Sequence, residues 1–258
     1  MGLLDGKVGL IYGVRNDRSL GWGCASSIAR EGGRLVLAVY GDREQAEAEK
    51  LLATLPGGEN GFVAQCDLTK DDSIAALHNL IGEKVDKLDF MIHCVAFAKK
   101  EDLGGRYVDS SRDGFALALD SSAFSFVAAV KAAEPLMSGG GSMLTLTYLG
   151  SEKVVPNYNT MGVAKAALES SVRYMASDLG PQGIRVNALS PGPTMTLAAA
   201  GISGFRNLYR DVPERAPLRR NTDIFEVGDT AAFFVSDWSR GITGEVVYVD
   251  SGLHILAG

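Results

Sequence analysis

The chain alternates short, almost wholly apolar runs with longer stretches in which apolar residues recur at helical spacing. The runs at 8–12, 35–39, 62–65 and 90–94 predict strands, and the segments at about 22–31, 44–55 and 71–81 predict the helices that follow the first three. The second half continues the alternation. A helical stretch covers 113–138, bent near Pro135, followed by a strand at 142–148, a helix at 159–179, a strand at 184–189, a helix at 225–236 and a last strand at 246–250. Strands this apolar on both faces belong in a parallel sheet with helices on either side. The expected architecture is α/β, a doubly wound parallel sheet of about seven strands with helices on both faces.

No repeat, low-complexity tract or linker divides the sequence, so residues 1–258 are read as a single domain with one large core. The least regular stretch, about 194–220, is expected to form a substrate-binding loop or flap, because long irregular segments inside compact domains tend to carry function.

Composition narrows the class further. Hydrophobic residues at 46% and charged residues at 22% are ordinary for a globular protein. The net charge of −6 has no charged block behind it, which argues against nucleic acid as the principal partner. Cys24, Cys66 and Cys94 form no CxxC pair, and the first seven residues hold no apolar signal core, so a reducing, cytoplasmic location is expected. The longest uncharged run, 186–205, contains Pro191, Pro193 and several glycines and predicts no membrane helix. His78, His93 and His254 show no ligand spacing, and no metal is expected. His93 reads as a packed histidine, and no base is identifiable beside Cys94 to make it a nucleophile.

The candidate chemistry lies at two places. After the first strand, Gly13 to Gly23 forms a glycine-bearing turn before a helix, able to bring backbone N–H groups and a positive helix end to a pyrophosphate. Its spacing is not GxGxxG, so the turn alone is a weak signal. In its strand–turn–helix setting it fits a Rossmann-type dinucleotide site. After the second strand, Tyr40-Gly41-Asp42-Arg43 offers Asp42 to a ribose hydroxyl or Arg43 to a 2′-phosphate, so these residues do not separate NADH from NADPH. Asp67 is placed either to bond an adenine amine or to cap the next helix.

The second place is Tyr158 through Lys165, a phenol and an ammonium two helical turns apart and close to one face. A donor held at a carbonyl oxygen stabilises the enolate that forms when hydride reaches a conjugated double bond, and does so more than it stabilises the substrate. Tyr158 is that candidate donor. Lys165 is suited to hold ribose hydroxyls and, as a cation, to lower the phenol's pKa. Tyr148, at the end of the fifth predicted strand, is expected to face the same pocket. These residues leave open an enoyl reductase, a carbonyl reductase and a cofactor-binding sensor without turnover.

Taken together, 13–23, 65–67, Ser125-Phe126, 144–150, 156–165, 185–187, 191–199 and 244–247 make the chain similar over nearly its whole length to the bacterial enoyl-acyl-carrier-protein reductases of the short-chain dehydrogenase/reductase superfamily. Those enzymes have Tyr-x6-Lys and a tyrosine at the fifth strand, where other superfamily members have Tyr-x3-Lys and a serine. The resemblance implies reduction of trans-2-enoyl thioesters carried on acyl carrier protein, in fatty acid biosynthesis, by a homotetramer. It implies catalytic roles for Tyr148, Tyr158 and Lys165. It also implies cofactor contacts at Gly13, Ser19, Leu20, Tyr40, Asp67, Leu68, Val95, Lys165, Thr194, Met195, Thr196, Leu197 and Ala198, and substrate near Ala98, Tyr148 and Tyr158. The chain departs from the family pattern at Cys94-Val95-Ala96, where members often carry Ser-x-Gly, and at Tyr40, where some have a polar residue.

Overall fold

A computed structural model describes residues 2–257. Seven strands form one parallel sheet: β1 (Val8–Tyr12), β2 (Arg34–Val39), β3 (Phe62–Gln65), β4 (Phe90–His93), β5 (Gly141–Leu146), β6 (Ile184–Pro191) and β7 (Val246–Val249), in the order β3-β2-β1-β4-β5-β6-β7. Successive strand residues point to opposite faces, and the sequence exploits this alternation to build two cores. Leu10, Tyr12, Val36, Ala38, Met91 and Met143 face one side, while Ile11, Leu35, Leu37, Phe90, Ile92 and Leu144 face the other.

Helices α3 (Asp71–Lys84), α5 (Ser125–Ala133) and α6 (Asn159–Leu179) cover the first core; α1 (Leu20–Arg30), α2 (Asp42–Leu52) and α9 (Ile224–Val235) cover the second. The chain also holds α4 (Arg112–Leu119), α7 (Leu197–Ala200) and α8 (Phe205–Arg215). Helices α1 and α9 meet backbone to backbone: a Cβ on Gly23 would lie 2.2 Å from Ile224 O, and one on Gly228 would lie 2.2 Å from Gly23 O. Alanine at either crossing would force the helices apart.

The doubly wound, parallel seven-stranded prediction matches this sheet. The long helix differs in one respect. It is interrupted not by Pro135 but by a π segment, Asp120–Phe124, between α4 and α5; Pro135 sits in a final 3₁₀ turn. The π segment lets Ser122 Oγ bond both Phe97 N (2.9 Å) and Phe97 O (3.0 Å), so a tertiary contact sets the break. The combined run Arg112–Leu136 is long and apolar enough to cross a membrane by composition, yet Phe126, Ala129 and Ala133 are packed in the core. Within the least regular stretch, two helices form, α7 and α8.

The strand order reverses direction between β1 and β4, which opens a crevice at their carboxyl ends. Tyr12 pairs with His93 at that edge, and the turns after both strands touch.

Candidate active site

Gly13 leaves β1 with φ +88°, a left-handed conformation that disfavours a side chain, and a Cβ there would lie 2.4 Å from Cys94 O. The glycine thus keeps the floor of the crevice open. Ser19 caps α1, its Oγ accepting from Trp22 N at 3.2 Å and donating to Asn16 O at 2.7 Å, an arrangement worth about 1 kcal/mol to the helix. The N–H groups of Leu20 and Gly21 have no partner among the described residues. Two unpaired donors at a helix start, beside a glycine turn, form a cradle suited to a pyrophosphate.

Further along the same edge, Tyr40 is 73% exposed and Arg43 is exposed with no ion-pair partner among the described residues. Asp42 accepts from Gln65 Nε2 at 2.6 Å and is thereby tied to β3. Asp67 does not cap α3, whose first turn follows Lys70; instead it accepts from Thr69 N (3.0 Å) and Thr69 Oγ1 (2.6 Å) and pairs with Lys70 at 3.2 Å. Leu68 and Val95 pack on the core, leaving mainly their backbone for contact with a ligand.

Thr194, Met195 and Thr196 are half-buried in the turn after β6, and Leu197 is exposed. Thr194 Oγ1 donates to Gly192 O, and Thr196 Oγ1 accepts from Ala199 N. The side chain of Ala198 lies outside the described residues. The segment reaches the other half of the site through Asn157, itself at φ 61°, whose Nδ2 donates to Ser203 O at 2.9 Å.

The catalytic candidates converge from two elements. Tyr148 lies two residues beyond β5 rather than within it, and Tyr158 stands at the start of α6. Their rings meet edge to face, 5.0 Å between centroids and 70° between planes. Gly150 makes that contact possible: a Cβ there would lie 2.5 Å from Tyr158 Cδ1. Ala98 is half-buried and packs, like Tyr158, against the small cluster of Ala118, Met161 and Ala164, whereas Ala96 is exposed on the same loop.

Lys165 is 5% exposed and donates to Leu146 O at 2.7 Å. Burial pushes its ammonium down to about 8, against the opposing influence of Cys94 and Glu169. The phenol of Tyr158 moves the other way, well above its ordinary value, through burial and the neighbouring Tyr148; Lys165 is not among the causes. The expected lowering of the phenol by the lysine is therefore replaced by a lysine anchored on the strand. Burial, then Asp250, pushes Tyr148 up to about 12.

Ser122 and Glu169 join the site with no motif to mark them, and Thr147 and Gly150, within the 144–150 motif, carry parts that the motif itself does not assign. Thr147 Oγ1 donates to the buried Glu169 carboxylate at 2.5 Å. Glu169 follows Lys165 by one helical turn, the only sequence signal that pointed to it. His93 is packed as expected, bonded to Thr145 Oγ1 (3.1 Å) and Ser125 Oγ (3.0 Å). Among the described residues no group of three or more His, Cys, Asp or Glu stands at metal-binding spacing.

Comparison with known proteins agrees with this geometry. Residues 13–254 match the family described as enoyl-(acyl carrier protein) reductase. Enoyl-[acyl-carrier-protein] reductase [NADH] FabI of Bacillus cereus is 50% identical over 256 residues, 99% of this chain and 100% of that protein. The [NADPH] FabI of Staphylococcus aureus is 46% identical, covering 98% of each chain. A crystal structure of the Bacillus cereus reductase with NADP+ and an indole naphthyridinone superposes with a TM-score of 0.98 over the whole of both chains. With matches spanning both the cofactor cradle and the tyrosine–lysine pocket, the chain belongs to the enoyl-(acyl carrier protein) reductase family.

Proposed function

We propose that the chain reduces the trans-2 double bond of enoyl thioesters with a nicotinamide cofactor, NADH or NADPH, in fatty acid biosynthesis. The observation that carries this reading is the Tyr148–Tyr158 pair beside buried Lys165 at the sheet's switch-point edge. Gly13, the unpaired Leu20 and Gly21 amides and Lys165 are the residues that would hold the cofactor. The cofactor, when bound, supplies the hydride for the β-carbon.

The protein's own part follows from the geometry. A phenol whose pKa is raised stays protonated at neutral pH and acts as a hydrogen-bond donor. Tyr158 donates to the thioester carbonyl oxygen, that bond strengthens as the oxygen gains enolate charge, and a proton from solvent at the α-carbon completes the reduction. Tyr148, edge-on to Tyr158, closes the pocket and fixes the phenol's direction. Lys165, held by Leu146 O, is set to bond ribose hydroxyls through its remaining protons. Ala98, on the same small cluster as Tyr158, is suited to border the acyl position, and residues 194–220, with α7 and α8, are suited to serve as a flap of the one reductase domain.

The same reading makes acyl carrier protein the bearer of the substrate, with a homotetrameric assembly and a cytoplasmic location. The half-exposed edge strand β7 supports assembly, since an uncovered sheet edge invites a partner. Carbonyl reduction is the second reading, disfavoured by the tyrosine in place of a serine beside β5. The test is oxidation of NADH and of NADPH by the purified protein given crotonyl thioester, with Tyr158→Phe and Lys165→Ala as controls. Turnover that survives unchanged in both variants overturns the reading.

A further inference from the structure

Helix α6 grips the exit of β5 at two consecutive residues. Lys165 Nζ donates to Leu146 O at 2.7 Å, and one turn onward Glu169 Oε1 accepts from Thr147 Oγ1 at 2.5 Å. Lys165, Thr147 and Glu169 are all buried. The next residue is Tyr148, whose ring meets Tyr158. Three successive residues thus carry the lysine's anchor, the carboxylate's anchor and an active-site tyrosine. A buried carboxylate is costly unless nearby charge and hydrogen bonds compensate it, and an apolar side chain would pack this helix face more cheaply.

We propose that Glu169 is a positioning residue for Lys165 and Tyr148, clamping the strand exit through Thr147 and supplying the negative charge beside the lysine ammonium. This rests on the reductase reading above. Lys165 is faced by Glu169 from its own helix and by His93 and Cys94 from β4 and its exit. His93 is held neutral, pushed down to about 3 by burial and by Lys165. Cys94 stays a thiol, raised by its bond with Cys24 and by burial. Tyr158 is likewise uncharged at neutral pH, and the Glu169 carboxylate is a neighbour that raises the lysine against its burial.

The test uses the full chain with Glu169→Gln, which keeps the acceptor oxygen and loses the charge, Thr147→Val, which loses the hydroxyl, and Thr147→Ser, which restores it. Glu169→Gln and Thr147→Val are expected to lower kcat about tenfold while the thioester KM stays within about threefold, and Thr147→Ser to recover most of the loss. Removing the negative charge lowers the lysine pKa, so the alkaline limb of kcat/KM moves down by about one pH unit in Glu169→Gln. Carbon-13 NMR of the Lys165 side chain reads the same downward shift without turnover, so it tests the clamp even if the wild type fails as a reductase. An unmoved lysine titration in folded Glu169→Gln, or a lowered kcat with an unmoved alkaline limb, would overturn the proposal. Should Glu169→Gln not fold, equal kcat in Thr147→Val and wild type would do so.

Discussion

The ring of Tyr148 stands edge-on to the ring of Tyr158, with centroids 5.0 Å apart, although the two residues leave different elements of the fold. In the proposed reaction Tyr158 donates to the reacting carbonyl and Tyr148 walls it in. Tyr158→Phe should therefore lower kcat by about 100-fold or more, the usual loss when a transition-state donor is removed. Tyr148→Phe should cost about tenfold, since the ring contact survives. Steady-state kinetics with cofactor affinity measured by fluorescence checks this, with cofactor Kd unchanged in both.

The room for that ring contact comes from Gly150, where a Cβ would lie 2.5 Å from Tyr158 Cδ1 and 2.9 Å from Cε1. Gly150→Ala should displace the phenol and lower kcat about 10- to 100-fold, with about 1–3 kcal/mol of stability lost to overpacking. Thermal melts and kinetics on the same preparation separate the two effects.

Lys165, pushed down to about 8 by burial, is charged at neutral pH and loses its proton as pH rises through that value. Ribose binding should weaken with it. The kcat/KM for the cofactor is expected to fall above about pH 8 with the loss of one proton, and the limb should vanish in Lys165→Ala along with most of the activity. Tyr158 contributes no limb in this range because burial keeps it protonated.

Much of this was legible in the sequence. The apolar runs marked seven strands because parallel strands are buried on both faces, and the helix 159–179 carried the Tyr–Lys pair onto one side. What could not be read depends on contacts between distant residues. The helix break at 120–124 answers to Ser122 bonding the Phe97 backbone, and Asp67 turns to Thr69 and Lys70 rather than capping α3. Glu169 reads as an ordinary helix residue until Thr147, 22 positions away, is folded against it.

His93 carries a stability consequence. Its imidazole is buried between Thr145 and Ser125, and burial, aided by Lys165, holds it down to about 3 from 6.5. Between those values the unfolded chain binds a proton that the folded chain refuses, so stability falls as pH drops below 6.5, by at most about 1.4 kcal/mol per pH unit. Melting temperatures from pH 7 to pH 4 should fall steeply, and less so in His93→Gln.

The most direct measurement of the central claim is mass spectrometry of the product formed from crotonyl thioester and from acetoacetyl thioester with NADH or NADPH. A butyryl product from the first and none from the second is the result expected of the Tyr148–Tyr158–Lys165 site. A hydroxybutyryl product from acetoacetyl thioester, with crotonyl thioester untouched, would contradict it.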